Sequence, residues 1–361
     1  MIDNNKVVSI LQSIIDPSSG RDIISQRLVT NLKVEGNSVS FSLQMPKATP
    51  DDKGKVFMAC EERIKKEYPN AEVNVHMETQ KAAGNTKNPL PQIQNIIAVG
   101  SGKGGVGKST VSLNLTKSLA NMGFKVGIMD ADLYGPSIPT MLGISDQRPK
   151  VREVYGKHKL LPIEKDGIYA ISIGNIIDAE QAVVLRGPRL GGIIKQFVYD
   201  CIWPDLDFLI IDLPPGTGDI QLTLVQSLAI TGAIMVTTPQ EVAVKDAVKA
   251  GNMFLLPNVN VPILGVVENM SWFTPEEDPT KKYYIFGEGG GAKLANYLKT
   301  ALLGNIPLVA KARENGDLGK IAVTEVEVFN SAFNSLRDTF LKQLAIRKEM
   351  LAPSKRVKME N

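Results

Sequence analysis

One stretch near the first third of the chain limits the fold more than any other. The apolar run NIIAVG (95–100) leads through Ser101 into Gly102-Lys103-Gly104-Gly105-Val106-Gly107-Lys108-Ser109, and TVSLNLTKSLANMG (110–123) follows at helical spacing. The octet satisfies G-x-x-x-x-G-K-[ST] and stands between a strand and a helix, where a phosphate-binding loop has to stand. Glycines let successive backbone N–H groups converge on a β-phosphate, and the helix N-terminus adds its positive end. Lys108 then neutralises β- and γ-phosphate charge, and the Ser109 hydroxyl is placed to ligate Mg²⁺. The candidate ATP contacts are therefore Gly102, Lys103, Gly104, Gly105, Val106, Gly107, Lys108, Ser109 and Thr110.

The surrounding pattern extends this unit into a domain. Further short apolar runs are KVGIMD (125–130), GIYAISI (167–173), DFLIID (207–212), GAIMVTT (232–238) and ILGVVEN (263–269), with helical segments between them. Strands that are apolar on both faces belong to a parallel sheet covered on both sides. The expected class is α/β: a doubly wound, mostly parallel sheet of P-loop NTPase type, preceded by a small α+β domain. Composition agrees, with 43% hydrophobic and 22% charged residues, enough for a packed core.

The small domain is expected over 1–80. Val7, Val8, Leu11, Ile14 and Ile15 recur at helical spacing up to Asp16-Pro17; Leu32 and Val34 precede a turn at Glu35-Gly36-Asn37, and Val39, Phe41, Leu43 and Met45 then alternate as a strand. A helix through KVFMACEERIKKEY puts Cys60 on its apolar face, and AEVNVHM forms a last strand with His76 facing solvent. A linker rich in Gly, Asn and Pro is expected over 81–92, the NTPase domain over 93–345, and a basic tail over 346–361.

Lys and Arg number 41 against 38 Asp and Glu, a net charge of +3, which argues against a dedicated polyanion binder and hence against a nucleic-acid partner. Two cysteines cannot build a disulfide framework, so a reducing compartment, the cytoplasm, is expected. No apolar run reaches membrane-spanning length.

Acidic residues close two more strands. Asp130 and Asp132, in IMD-A-DLYGPS, lie where open α/β sheets bind ligands, and either can orient water or hold Mg²⁺. Asp212 ends an apolar strand like a Walker B acid, followed by the loop PPGTGD (214–219). Each aspartate alone would equally suit a helix N-cap. Asn269 is placed to meet a nucleotide base by its amide, and a turn role suits it nearly as well.

Taken together, GSGKGGVGKST (100–110), DADLYGPSIPTMLG (130–143), RGPRLGG (186–192), LIIDLPPGTGDIQLTL (209–224), ENMSWF (268–273) and IFGEGGG (285–291) make the chain resemble the Mrp/ApbC family of P-loop ATPases. DPSSGRDI (16–23) is similar to the accessory domain that often precedes them. The resemblance implies a Mg²⁺-dependent ATPase that forms a homodimer, binds a [4Fe–4S] cluster between subunits and passes it to apo iron–sulfur proteins or assembly factors. By position it implies that Lys103 reaches across the dimer and that Lys103, Lys108 and Asp130 are catalytic, Asp130 orienting the water. Ser109, Asp132 and Asp212 would form the Mg²⁺ site, and Asn269 would contact the base.

Typical members carry C-x-x-C between the ENMS segment and IFG. Here residues 273–282 read FTPEEDPTKK, without cysteine, so the resemblance assigns no cluster ligand. Cys60 and Cys201 remain, and burial is the expected state of both. A MinD-like nucleotide switch that binds protein partners without holding a cluster is a second reading. A membrane-associated partitioning subunit is a third, disfavoured by the poorly amphipathic tail. Arg186 and Arg189 suit γ-phosphate, interface or solvent alike.

Overall fold

The computed structural model describes residues 2–17, 19–45, 48–77, 89–132, 135–154, 156–176, 192–193, 197–257, 259–275, 277–278 and 281–354. Most of the expected linker (81–88), Arg186 and Arg189, Glu276 and residues 355–361 lie outside the described residues. The chain divides into two compact units, Met1–Asn85 with Val151–Leu160, and Thr86–Lys150 with Leu161–Asn361.

In the first unit, helix α1 (Asn4–Gln12) starts where the Asp3 side chain accepts from the Asn5 N–H, and it buries Val7 and Leu11. Strands β1 (Val29–Glu35) and β2 (Ser38–Leu43) are antiparallel about Gly36, whose φ of +61° the turn requires. Helix α2 (Pro50–Glu67) opens with a reciprocal cap: Thr49 Oγ1 accepts from the Asp52 N–H and donates to Asp52 Oδ2. Strand β3 (Glu72–Met77) joins β2 in parallel, with His76 exposed. Val56, Cys60 and Ile64 point into the core with Phe41 and Leu43.

A hairpin, β6 (Lys150–Val154) and β7 (Lys157–Leu161), supplies residues 151–160 of this unit from far along the sequence. Lys157 Nζ reaches Asp52 Oδ1 at 2.7 Å. Nothing in the sequence reading anticipated that placement.

The second unit holds an eight-stranded sheet. Its strands are β4 (Ile93–Ser101), β5 (Val126–Asp130), β8 (Ile163–Lys165), β9 (Ile168–Ser172), β10 (Leu206–Asp212), β11 (Gly232–Thr237), β12 (Ile263–Glu268) and β13 (Leu302–Asn305). They lie in the order β13-β12-β11-β4-β10-β5-β9-β8, parallel at every pairing except β8–β9. The antiparallel edge strand β8 and the short β13 escaped the apolar-run criterion; the six longer runs all became strands. Their continuous burial explains why no alternation is visible: every residue of β5 and β11 is buried.

Helices α3 (Lys108–Asn121), α4 (Ile138–Leu142), α5 (Asp219–Ser227), α6 (Glu241–Leu255), α7 (Gly290–Tyr297), α8 (Ala310–Asp317), α9 (Ala322–Glu325) and α10 (Glu327–Met350) belong to the same unit. Helix α10 buries Phe329, Phe333, Leu336, Phe340 and Leu344, one stripe at three- and four-residue steps. It runs into the stretch expected as a basic tail, 346–361. The helix continues through Met350, and Arg347 is buried with Nε donating to the Thr231 carbonyl at 2.9 Å. Among the described residues no helix is long and apolar enough to cross a membrane.

Candidate nucleotide site

The central strand β4 runs between β10 and β11, so the carboxyl ends of β4, β5, β10 and β12 bring Ser101, Asp130, Asp212 and Asn269 to one edge. Between β4 and α3 the loop 102–107 turns tightly. Gly105 and Gly107 both have φ of +80°, a conformation that side-chain-bearing residues rarely adopt. A Cβ on Gly102 would collide with the backbone of Asp246 and Ala247 in α6, and one on Gly107 with the Asn269 amide. Around Gly104 the space is open. Glycine is thus required at 102 and 107 by the protein itself, whereas a Cβ at 104 would meet no other atom of the protein.

Lys108 begins α3 and is buried to 6% exposure. Its Nζ lies 2.9 Å from Asp212 Oδ1 and 3.7 Å from Asp132 Oδ2. The other Asp212 oxygen accepts from Ser109 Oγ at 2.6 Å, and Ser112 Oγ donates to Oδ1 at 2.7 Å. Sequence reasoning missed Ser112, which sits one helical turn beyond Lys108 and so shares its face. Lys108, Ser109, Asp132 and Asp212 therefore meet beneath the loop, a compact set of one ammonium, two carboxylates and a hydroxyl. Hard oxygens of this kind suit Mg²⁺.

Asp130 is placed differently. It is wholly buried, and its carboxylate accepts from the Asp132 N–H at 3.1 Å, the Ile138 N–H at 3.3 Å and Ser172 Oγ at 3.0 Å. Burial, and then the neighbouring Asp212 charge, push its pKa up to about 8. It braces the loop after β5 from below, while Asp132 faces the lysine.

Lys103, at the outer side of the loop, has Nζ 3.5 Å from Gln240 Oε1. The Asn269 Nδ2 donates to the Val106 carbonyl at 2.9 Å, tying the end of β12 to the phosphate loop. The same asparagine lines a cavity of about 370 Å³ together with Thr110, Met270, Pro307, Leu308 and Ile321. This volume, mostly apolar and reached directly from α3, suits a planar base.

Cys201 is 5% exposed and Cys60 wholly buried, both as free thiols.

Two family profiles match the chain. Residues 4–77 match a family described as iron–sulfur cluster assembly protein, and residues 92–341 match the NUBPL iron-transfer P-loop NTPases. The second match spans well over half of the chain. The chain belongs to that family.

Relatives of this NTPase cover both units. The iron–sulfur cluster carrier protein of Synechocystis sp. is 41% identical over 358 residues, 98% of this chain and 99% of its own. That of Escherichia coli K12 is 47% identical over 266 residues, 72% of this chain and 69% of its own. Among solved structures, the nucleotide-binding protein of Archaeoglobus fulgidus in complex with ADP is 36% identical, with a TM-score of 0.58 over 67% of this chain and 93% of that one. The MinD protein of Pyrococcus horikoshii, at 24% identity and a TM-score of 0.51 over 71% of this chain and 99% of its own, shares the fold. The central sheet of this NTPase is therefore the doubly wound one expected, and nucleotide hydrolysis is the general activity of its family.

Proposed function

We propose that this NTPase is a Mg²⁺-dependent ATPase that drives iron–sulfur clusters to apoproteins. The observation that carries the nucleotide half is the junction of two features. The buried Lys108–Asp212 pair, with Ser109 on its carboxylate, lies under an open glycine loop, and a base-sized cavity begins at Thr110 and Asn269. The cluster half is supported by the carrier relatives aligned across both units.

In this reading the loop N–H groups and Lys108 bind the phosphates, and on ATP binding the lysine exchanges its carboxylate partner for phosphate oxygens. Ser109 and Asp212 would hold Mg²⁺, which neutralises charge on the phosphates when bound. Asp132, 13% exposed beside Lys108, is the carboxylate available to orient water. Asp130 keeps the loop in place. We read Asp130, expected from the sequence to orient the water, as a support for that loop, because it is buried with three donors on its carboxylate.

The Asn269 amide nitrogen is engaged by Val106, which leaves its oxygen to accept from an exocyclic amine. Adenine offers such a donor at the edge where guanine offers an acceptor. Lys103, half-buried in the loop with its Nζ 3.5 Å from Gln240 Oε1, is the group that a second subunit would meet in a homodimer. Two free thiols suit the cytoplasm.

The test is a pair of assays. Phosphate release from Mg-ATP is expected to exceed that from Mg-GTP and to vanish in Lys108→Met. Transfer of a cluster to an apo iron–sulfur enzyme is expected to quicken with ATP and not in that variant. ATP turnover without any effect on transfer would leave an ATPase of another purpose.

A further inference from the structure

Iron–sulfur clusters are held by thiolates, four for a [4Fe–4S] centre. The chain has two cysteines in all. Cys60 packs on the inner face of α2, in the first unit, among Val56, Ile64 and Phe41. Cys201 lies ahead of β10, in the second unit, in a stretch where Phe197, Val198 and Trp203 are each no more than 1% exposed. Burial pushes the Cys60 thiol up to about 12 and raises that of Cys201 as well. A ligand must be deprotonated and reachable, and these thiols are neither.

Other donors do not replace them. The two histidines, His76 and His158, are exposed on separate strands of the first unit. Among the described residues no group of three or more His, Cys, Asp or Glu side chains is arranged to hold a metal ion. After β12, the described part of 273–282 offers Glu277 and Asp278, and Asp278 pairs with Lys281 at 3.0 Å. Hard carboxylate oxygens are poor ligands for a sulfide-bridged cluster.

We infer that this NTPase contributes no thiolate to its cargo: the cluster stays on cysteines of the thiol-bearing proteins between which it moves. The inference rests on the carrier reading above. Transfer is then ligand exchange alone. Each iron–thiolate bond to the donor is replaced by one to the acceptor, the proton of the incoming thiol passes to the departing thiolate, and iron and sulfide keep their oxidation states. The chain's own reactive chemistry is confined to ATP.

The experiment begins with anaerobic incubation of the wild-type chain and of Cys60→Ala/Cys201→Ala with ferrous iron, sulfide and dithiothreitol, followed by desalting. Neither is expected to retain stoichiometric iron or sulfide. A disulfide reagent such as dithionitrobenzoate is expected to leave both thiols of the folded wild type unmodified and to titrate both in guanidinium. With a [4Fe–4S] cluster on a four-cysteine peptide as donor and apo-ferredoxin as acceptor, both proteins are expected to accelerate transfer equally with ATP.

A cluster retained by wild type overturns the inference, whether or not the variant loses it. So does acceleration lost only in a cysteine-free variant that melts like wild type. If that variant fails to fold, wild-type reconstitution and the native thiol titration decide. A wild type that accelerates nothing removes the carrier reading itself, a result distinct from cluster retention.

Discussion

Asp130 and Asp212 are register partners at the carboxyl ends of adjacent parallel strands, both wholly buried, yet only Asp212 pairs with Lys108 at 2.9 Å. Two carboxylates side by side in a dry site do not both ionise freely. Asp212 has an ammonium and two serine hydroxyls; Asp130 has two backbone N–H groups and Ser172, and a pKa raised to about 8. Burial and the neighbouring Asp212 charge favour the protonated form of Asp130, and its three partners tie it to the loop after β5.

The two aspartates of the loop should therefore separate on mutation. Asp132→Asn is expected to lower ATP turnover about 100-fold or more while ATP affinity stays near wild type. Asp130→Asn turns one of its two accepting oxygens into a donor facing the Asp132 or the Ile138 N–H, so it is expected to lose thermal stability while losing less turnover than Asp132→Asn. Asp130→Ala, which strips the loop of its acceptor, should lose both turnover and thermal stability. Steady-state kinetics with Mg-ATP beside melting curves reads all three; the reverse ranking would return the water-orienting role to Asp130.

Lys108 and Asp212 form a buried pair in which each partner covers the other's desolvation. In the absence of nucleotide, Lys108→Met leaves a buried carboxylate with only hydroxyl partners, at a cost of about 3 kcal/mol. Lys108→Met/Asp212→Asn removes both charges and is expected to be more stable than the single lysine variant, although equally inactive. Urea unfolding of the apo protein measures the difference. A double variant less stable than Lys108→Met would mean that the pair is held by something other than mutual charge.

The loop glycines divide by what a methyl group would meet. At Gly102 it meets backbone of α6, which cannot swing aside, so Gly102→Ala should destabilise the apo protein by about 2 kcal/mol or more. At Gly104 it meets nothing, and the backbone there lies outside the left-handed region. Gly104→Ala is accordingly expected to melt like wild type and to bind ATP more weakly, since the methyl group takes phosphate space. Calorimetric titration with ATP against the two melting temperatures tests the contrast.

What the sequence disclosed and what it withheld follow from range. The strands of the central sheet were legible because burial on both faces writes an unbroken apolar run, and the phosphate loop because its chemistry needs residues that are consecutive. Cys60 was legible from its helical face. The distinct fates of Asp130 and Asp132 were not: both follow the same strand, and the choice is made by Ser172, 42 residues away, and by the Ile138 N–H. Arg347 read as part of a basic tail because its partner, the Thr231 carbonyl, is 116 residues distant. The hairpin at 150–161 mixes charged and apolar residues without a regular period, and no local signal tells which unit it completes.

That hairpin gives a pH-dependent expectation. Burial alone would raise the Asp52 pKa, but the hydrogen bonds from Lys157 and Thr49 outweigh it and hold it below the usual carboxylate value. A carboxyl with a lowered folded-state pKa contributes stability that is present above its unfolded pKa, about 4, and is lost as pH falls through the lowered value. Lys157 is 41% exposed, so the contribution is modest. Lys157→Met is expected to cost the first unit about 1 kcal/mol at neutral pH, the deficit closing toward zero as pH falls through the lowered Asp52 pKa. Lys157→Arg, which keeps a donor and a charge, should recover most of it. Hydrogen exchange of the β1–β3 amides at neutral and acid pH follows this unit by itself. A deficit that persists unchanged in acid would show that Lys157 acts by packing along its stem and not by its charge on Asp52.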